Sequence, residues 1–129
     1  MKIWINGAKP FEAAVILRFL YYATGFENLK IYITNFKGIN PLVRYSRVPI
    51  EEIKKSVIFN EVPEGKFLIV SEDGEDVSNI NLSEYDGILI DFENKHEGKK
   101  VKGLGIKLLH YEAISVLTKI FLENKIETK

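Results

Sequence analysis

Two short apolar runs, Lys66-Phe-Leu-Ile-Val-Ser71 and Gly87-Ile-Leu-Ile-Asp91, constrain this chain more than any other feature. Each is too short for an ordinary helix and reads as a buried strand. Lys2 to Asn6 and Leu29 to Phe36 are strands of a different kind, alternating apolar and polar residues, and Asn6-Gly7 supplies a turn. Val101 to Gly105 reads as one more strand.

Helical stretches fall between these runs. Pro10 opens a helix with Phe11 to Ala23 as its body and Gly25 as its stop. Pro49 opens another through about Phe59, with Glu51 and Glu52 in the first turn, where they suit the helix dipole. Leu109 to Asn124 is the last. Lys37 to Pro41 reads as a loop, and Leu42 to Val48 as a short strand or extended segment. Strands alternating with helices predict an α/β fold, a mainly parallel sheet flanked by helices. At 129 residues the expectation is a single domain covering 1–129.

The helix Phe11 to Ala23 is apolar on almost every side, broken only by Glu12 and Arg18. Such a helix must be covered on more than one face. Leu109, Ala113, Val116, Leu117 and Ile120 form one stripe of the last helix, and Ile114 and Phe121 widen it. Both helices carry more apolar surface than one sheet face covers, so a homodimer is expected.

Composition removes several classes of chemistry. Without cysteine there are no disulfides, no thiolate nucleophiles and no thiolate zinc sites. Lys and Arg total 18 and so do Asp and Glu, giving a formal charge of zero. Any contact with RNA must then come from a local patch. Met1-Lys-Ile-Trp-Ile-Asn lacks the pattern of a signal peptide, and Ala13 to Ala23 is too short to span a bilayer. A cytoplasmic protein is expected.

Among the polar clusters, Arg44-Tyr-Ser-Arg47 has the composition of a nucleic-acid contact, since arginines hold phosphates and a tyrosine stacks on a base. An exposed loop is the plainer alternative. Arg18, alone in an apolar helix, either forms a buried pair or points into an active cleft. The acidic turn Glu72-Asp-Gly-Glu-Asp76 lacks the length and ligand order of an EF-hand and reads as a solvated turn; no metal is expected. His110 is a general-base candidate beside the plainer role of a helix-start residue, and His96 reads as exposed. Lys99-Lys100-Val-Lys102 is either a solvated edge or a basic strip for RNA. Gly103 and Gly105 lack the third glycine of a dinucleotide fingerprint, and no P-loop signature is present.

The stretch Ser71-Glu-Asp-Gly-Glu-Asp-Val-Ser-Asn-Ile-Asn-Leu82 resembles archaeal tRNA pseudouridine N1-methyltransferases of the SPOUT class. So does the order that follows: the strand Gly87 to Ile90, a polar loop, then Gly103-Leu-Gly-Ile-Lys-Leu-Leu-His110 and an apolar helix. The resemblance covers about Lys66 to Lys125, while the front of the chain matches loosely as strand, apolar helix, strand. It implies a SPOUT-like fold with a C-terminal trefoil knot that binds S-adenosylmethionine through two loops, Asp91 to Gly98 and Lys102 to Leu109. Carried over, the cofactor-binding residues are Ile90, Asp91, Gly98, Gly103, Leu104, Gly105, Leu108 and Leu109. On a methyltransferase reading, a carboxylate such as Asp91 or Glu72 is the catalytic candidate, as acceptor of a proton, and Arg18, Arg44 and Arg47 are the candidate RNA contacts. Where family members carry a glycine after this strand, the chain has Asp91-Phe92-Glu93-Asn94.

Three readings stand on these residues. One is an S-adenosylmethionine-dependent RNA methyltransferase acting on a tRNA base such as pseudouridine N1. Another is a catalytically silent, dimeric SPOUT-like module that binds RNA or a partner. The third is an unrelated small α/β domain with an unknotted C-terminus.

Overall fold

A computed structural model describes residues 1–76, 79–93, 100–101 and 110–128. In chain order the elements are β1 (Lys2–Asn6), α1 (Pro10–Thr24), β2 (Lys30–Thr34), α2 (Ile39–Ser46), α3 (Ile50–Ser56), β3 (Val57–Phe59), β4 (Phe67–Ser71), β5 (Gly87–Asp91), β6 (Lys100–Val101) and α4 (His110–Glu123), with a 3-10 turn at Leu82–Glu84. The strands form one sheet in the order β3-β2-β1-β5-β4-β6. Among the described residues every ladder is parallel, so the expected parallel α/β architecture is the one observed.

Alternation along each strand divides the core in two. Ile3, Ile5, Ile31, Ile33, Leu68, Val70, Ile88 and Ile90 enter the larger cluster, where they meet residues of α1 and α4. Ala13 and Ala14 of α1 are fully buried there, and small side chains let a helix lie close to a sheet. The opposite face carries Trp4, Tyr32, Phe67, Ile69 and Leu89. Trp4 meets Phe67 edge-on, with ring centroids 5.4 Å apart.

Helix α1 starts and stops as its ends dictate. Glu12 accepts from the Lys9 backbone N–H at 2.8 Å, and Gly25 takes the left-handed conformation (φ 64°) while its N–H bonds Tyr21. The link from β3 to β4 has no helix. It must pass β2, β1 and β5, a lateral span of about 19 Å at the usual strand spacing. Residues 60–66 make this crossing, with Pro63 buried and the Lys2 ammonium donating to the Glu64 carbonyl at 2.8 Å.

Several expectations are corrected. The loop expected at Lys37 to Pro41 ends at Gly38, and Leu42 to Ser46 is neither strand nor extended segment, because Ile39–Ser46 is helical. Leu42 and Ser46, four residues apart, form its buried face, and α2 packs on α1. Pro41 sits in the first turn, where a missing N–H costs nothing. The helix opened by Pro49 ends at Ser56, and Val57–Phe59 becomes an edge strand paired with β2. Its β-branched Val57 and Ile58 fit a pleated, half-buried position better than another helical turn. Among the described residues no helix is long and apolar enough to cross a membrane.

A candidate site at the carboxyl ends of the central strands

Each of the four five-residue strands closes on a polar residue: Asn6, Thr34, Ser71 and Asp91. All four are buried, Asp91 completely. Register sets them in a row, with Asn6 between Thr34 and Asp91, and Ser71 beyond Asp91. They share the sheet face of Trp4.

A chain of hydrogen bonds joins most of this row. The Trp4 indole N–H donates to Thr34 Oγ1 at 2.7 Å, and the Thr34 hydroxyl donates to Asn6 Oδ1 at 2.6 Å. Asn35 Nδ2 also donates to Asn6 Oδ1, at 2.8 Å. Asn6 Nδ2 in turn donates to Asp91 Oδ1 at 3.1 Å, and the Glu93 backbone N–H donates to the same oxygen at 3.0 Å. Among the described residues no buried side-chain nitrogen or oxygen lacks a partner. A fully satisfied buried network of this kind holds its members in one geometry.

Topology explains why a site belongs here. The chain leaves β1 through α1 toward β2, whereas it leaves β5 in the opposite direction, toward β6 beyond β4. In open α/β sheets, ligands bind outside the carboxyl ends of strands where the connections diverge. The Asn6–Asp91 bond spans that divergence.

Of the residues singled out from sequence, Asp91 and Glu72 come together at the ends of adjacent strands. Their settings differ. Asp91 is inaccessible and bonded within the network, while Glu72 is exposed at the start of the turn after β4. In that turn Ser71 Oγ donates to Asp73 Oδ1 at 2.7 Å. No group of three acidic or histidine side chains among the described residues is placed to hold a metal ion. Ile90 is fully buried in the core, so its side chain offers a ligand nothing. Phe92 packs against the main core, and the Glu93 side chain lies against Gly7 (φ 73°) at the end of β1.

Gly98, Gly103, Leu104, Gly105, Leu108 and Leu109 lie outside the described residues, as do His96, most of the two cofactor loops and the threading that would make a knot. Of the strand expected at Val101 to Gly105, Lys100–Val101 is described, paired with β4. His110 begins α4.

Arg18 is not in a buried pair. It is exposed on α1 and lines a groove of about 540 Å³ with Val15, Phe19, Tyr22, Ala23 and Ile114 of α4. Arg44 is exposed on α2, and Arg47 is the left-handed residue (φ 55°) that caps it. Tyr22, one turn beyond Arg18, donates its hydroxyl to the Arg47 carbonyl at 3.1 Å. Arg44 lies 5.9 Å from the Tyr45 ring centroid, and Tyr45 meets Phe11 edge-on at 6.4 Å. The structure thus gathers three arginines and three exposed aromatics along α1 and α2.

Asn6, Thr34 and Ser71 escaped the sequence reading. The available signal was the polar residue closing each apolar run, where an ordinary strand has no need of one.

Fold and site together define an α/β protein with a parallel sheet wound in both directions and a polar centre at its switch point. The fold is shared with known structures. A structure provisionally described as an RNA methyltransferase from Bacillus anthracis superposes with a TM-score of 0.61 at 10% identity, covering 96% of this chain and 94% of that one. A structure from Porphyromonas gingivalis, provisionally described as an RNA methyltransferase of the TrmH family, gives 0.57 at 12% identity. There the match covers 95% of this chain but 57% of the other. At such identities the likeness is one of fold. No protein-family profile and no curated protein matches the sequence.

Proposed function

We propose that this protein is an S-adenosylmethionine-dependent RNA methyltransferase of the SPOUT class, a single domain with a C-terminal trefoil knot that works in the cytoplasm as a homodimer. Its target on this reading is a tRNA base, with pseudouridine N1 the first to test. The observation that carries the reading is a fold shared over nearly the whole chain with a structure described as an RNA methyltransferase. The sequence resemblance from Ser71 to Leu82 and from Gly103 to Leu109 supports it separately.

The strand ends fit a nucleoside cofactor in chemical type. Glu72, exposed just past the buried end of β4, supplies an acceptor for ribose hydroxyls and for an amino group. The cofactor supplies the methyl group. The protein must hold the RNA nitrogen in line with it and accept the N1 proton, and positioning supplies most of the rate. Glu72, being exposed, takes that proton. Asp91, buried and bonded to Asn6, acts through position, holding the ends of β1 and β5 together. Arg44 and Arg47 contact RNA phosphates and Tyr45 offers a stacking face, whereas Arg18 and Tyr22 line the groove taken by the dimer.

Dimer formation is drawn from exposed apolar surface. Phe11, Tyr22, Tyr111 and Leu122 are more than half exposed, and the groove between α1 and α4 lies among them.

Calorimetric titration of the whole chain with S-adenosylmethionine tests the proposal. Saturable heat at millimolar cofactor or below is expected, and its absence overturns the enzyme reading. The silent RNA-binding module is the second reading. It is favoured by Asp91 and Phe92, which occupy the end of β5 where family members carry glycine. RNA binding without cofactor heat would establish it.

A further inference from the structure

The carboxyl ends of β1, β2 and β3 enclose a second feature, separate from Asp91 and Glu72. A hollow of about 660 Å³ is lined by Ala8, Pro10, Asn35, Phe36, Lys37 and Asn60. Its volume falls within the range of small-molecule sites. Ala8, Pro10 and Phe36 make an apolar wall, two carboxamides contribute both donors and acceptors, and one ammonium group lies at the rim.

Asn35 and Asn60 are the first residues past β2 and β3, with φ of 51° and 57°. Asparagine tolerates this left-handed turn better than most residues, which explains each one's type. It does not explain why two such carboxamides line one cavity. Asn35 is also oriented, because its Nδ2 is committed to Asn6 Oδ1 at 2.8 Å, which leaves its own Oδ1 toward solvent or a ligand. The Lys37 side chain is exposed and makes no ion pair among the described residues.

An apolar wall, two carboxamides and a nearby cation suit a nucleotide. Asparagine pairs with the hydrogen-bonding edge of an unstacked base, and lysine holds the phosphate. At the usual strand spacing the β2 end lies about 10 Å from the β5 end, and the β3 end about 19 Å from the β4 end. One base does not reach from the hollow to Asp91 and Glu72, so the two places hold different nucleotides.

We infer that the hollow between Pro10, Asn35, Lys37 and Asn60 is a specificity subsite that receives an unstacked nucleotide flanking the methylated one. The inference rests on the RNA-methyltransferase reading. Asn6 links the two places, since it accepts from Asn35 on one side and donates to Asp91 on the other.

The test is a ¹⁵N–¹H correlation spectrum of the full chain titrated with uridine 5′-monophosphate and adenosine 5′-monophosphate, with ribose 5-phosphate as the control. Shifts at the Asn35 and Asn60 side-chain NH2 groups and at the backbone amides of residues 35–37 are expected with a mononucleotide. They should be absent with ribose 5-phosphate. Lys37→Ala and Asn60→Asp, both at exposed positions, should each weaken mononucleotide binding by about five- to tenfold. An unperturbed spectrum at these residues overturns the subsite, and so do equal shifts with ribose 5-phosphate. Calorimetry with S-adenosylmethionine separates the two ideas. Cofactor heat without these shifts removes the subsite and leaves the enzyme reading standing. Shifts without cofactor heat remove methyl transfer and leave a nucleotide site.

Discussion

Asn6 and Asp91 close two neighbouring parallel strands in register, and the Asn6 carboxamide donates to the Asp91 carboxylate at 3.1 Å. The bond crosses the place where the connections leaving β1 and β5 diverge. It ties the half of the sheet that carries Asn35 and the hollow to the half that carries Ser71, Glu72 and Asp91. Thr34 and Asp91, two partners of Asn6, are themselves buried strand ends, so the residue organises more than one contact.

Replacing Asn6 by Ala takes the acceptor from the Thr34 hydroxyl and a donor from Asp91, both in buried positions. Each buried group left without its partner costs about 1–3 kcal/mol. Urea unfolding should show Asn6→Ala destabilised by about 2–4 kcal/mol, and Asn6→Asp more so, because a second carboxylate would face Asp91. A loss below about 0.5 kcal/mol for Asn6→Ala would contradict the network's structural weight.

Gly7 and Gly87 should respond differently to Ala. A Cβ on Gly87 would overlap the Lys2 carbonyl of the neighbouring strand, and backbone cannot give way cheaply. At Gly7 the collision is with the flexible Glu93 side chain, added to a left-handed φ of 73° that costs about 1–2 kcal/mol. Thermal melts should therefore rank Gly87→Ala as the more damaging. Glu93→Ala should recover part of the Gly7→Ala loss and none of the Gly87→Ala loss. Equal rescue of both would disprove the assignment.

The arginine-bearing surface predicts a salt signature. Each phosphate contact removed from a single strand lowers the slope of log affinity against log salt by about 0.7. Arg44→Ala and Arg47→Ala should each flatten that slope by about one such step for a tRNA fragment, with the fold intact. Unchanged slopes in both variants would move the RNA surface elsewhere.

For the proposed dimer, light scattering at micromolar concentration should return the mass of two chains. Ile114→Glu, placed in the groove beside Arg18 and Phe19, should shift the mass toward one chain without lowering helix content. A wild-type mass of one chain would refute the dimer outright.

Legibility varied with how local the determinant was. β1, α1, β2, β4, β5 and α4 were readable because apolar period, Pro10 and Gly25 act within a few residues. α2 was misread because Leu42 and Ser46 acquire their meaning only against α1. β3 was missed because three residues carry little periodic signal, and it is a strand only through its pairing with β2. In the site, Asp91 and Glu72 were named, whereas Asn6, Thr34 and Ser71 passed as ordinary strand ends.

Sequence alone determined a parallel α/β protein without cysteine chemistry, since hydrophobic period and composition are properties of short windows. Only the tertiary structure decided which strand ends meet. Asn6 and Asp91 are 85 residues apart, and their contact depends on β5 docking against β1 rather than on any local preference. Strand order results from many distant packings competing at once, so the row of polar ends becomes a site only after the sheet has assembled.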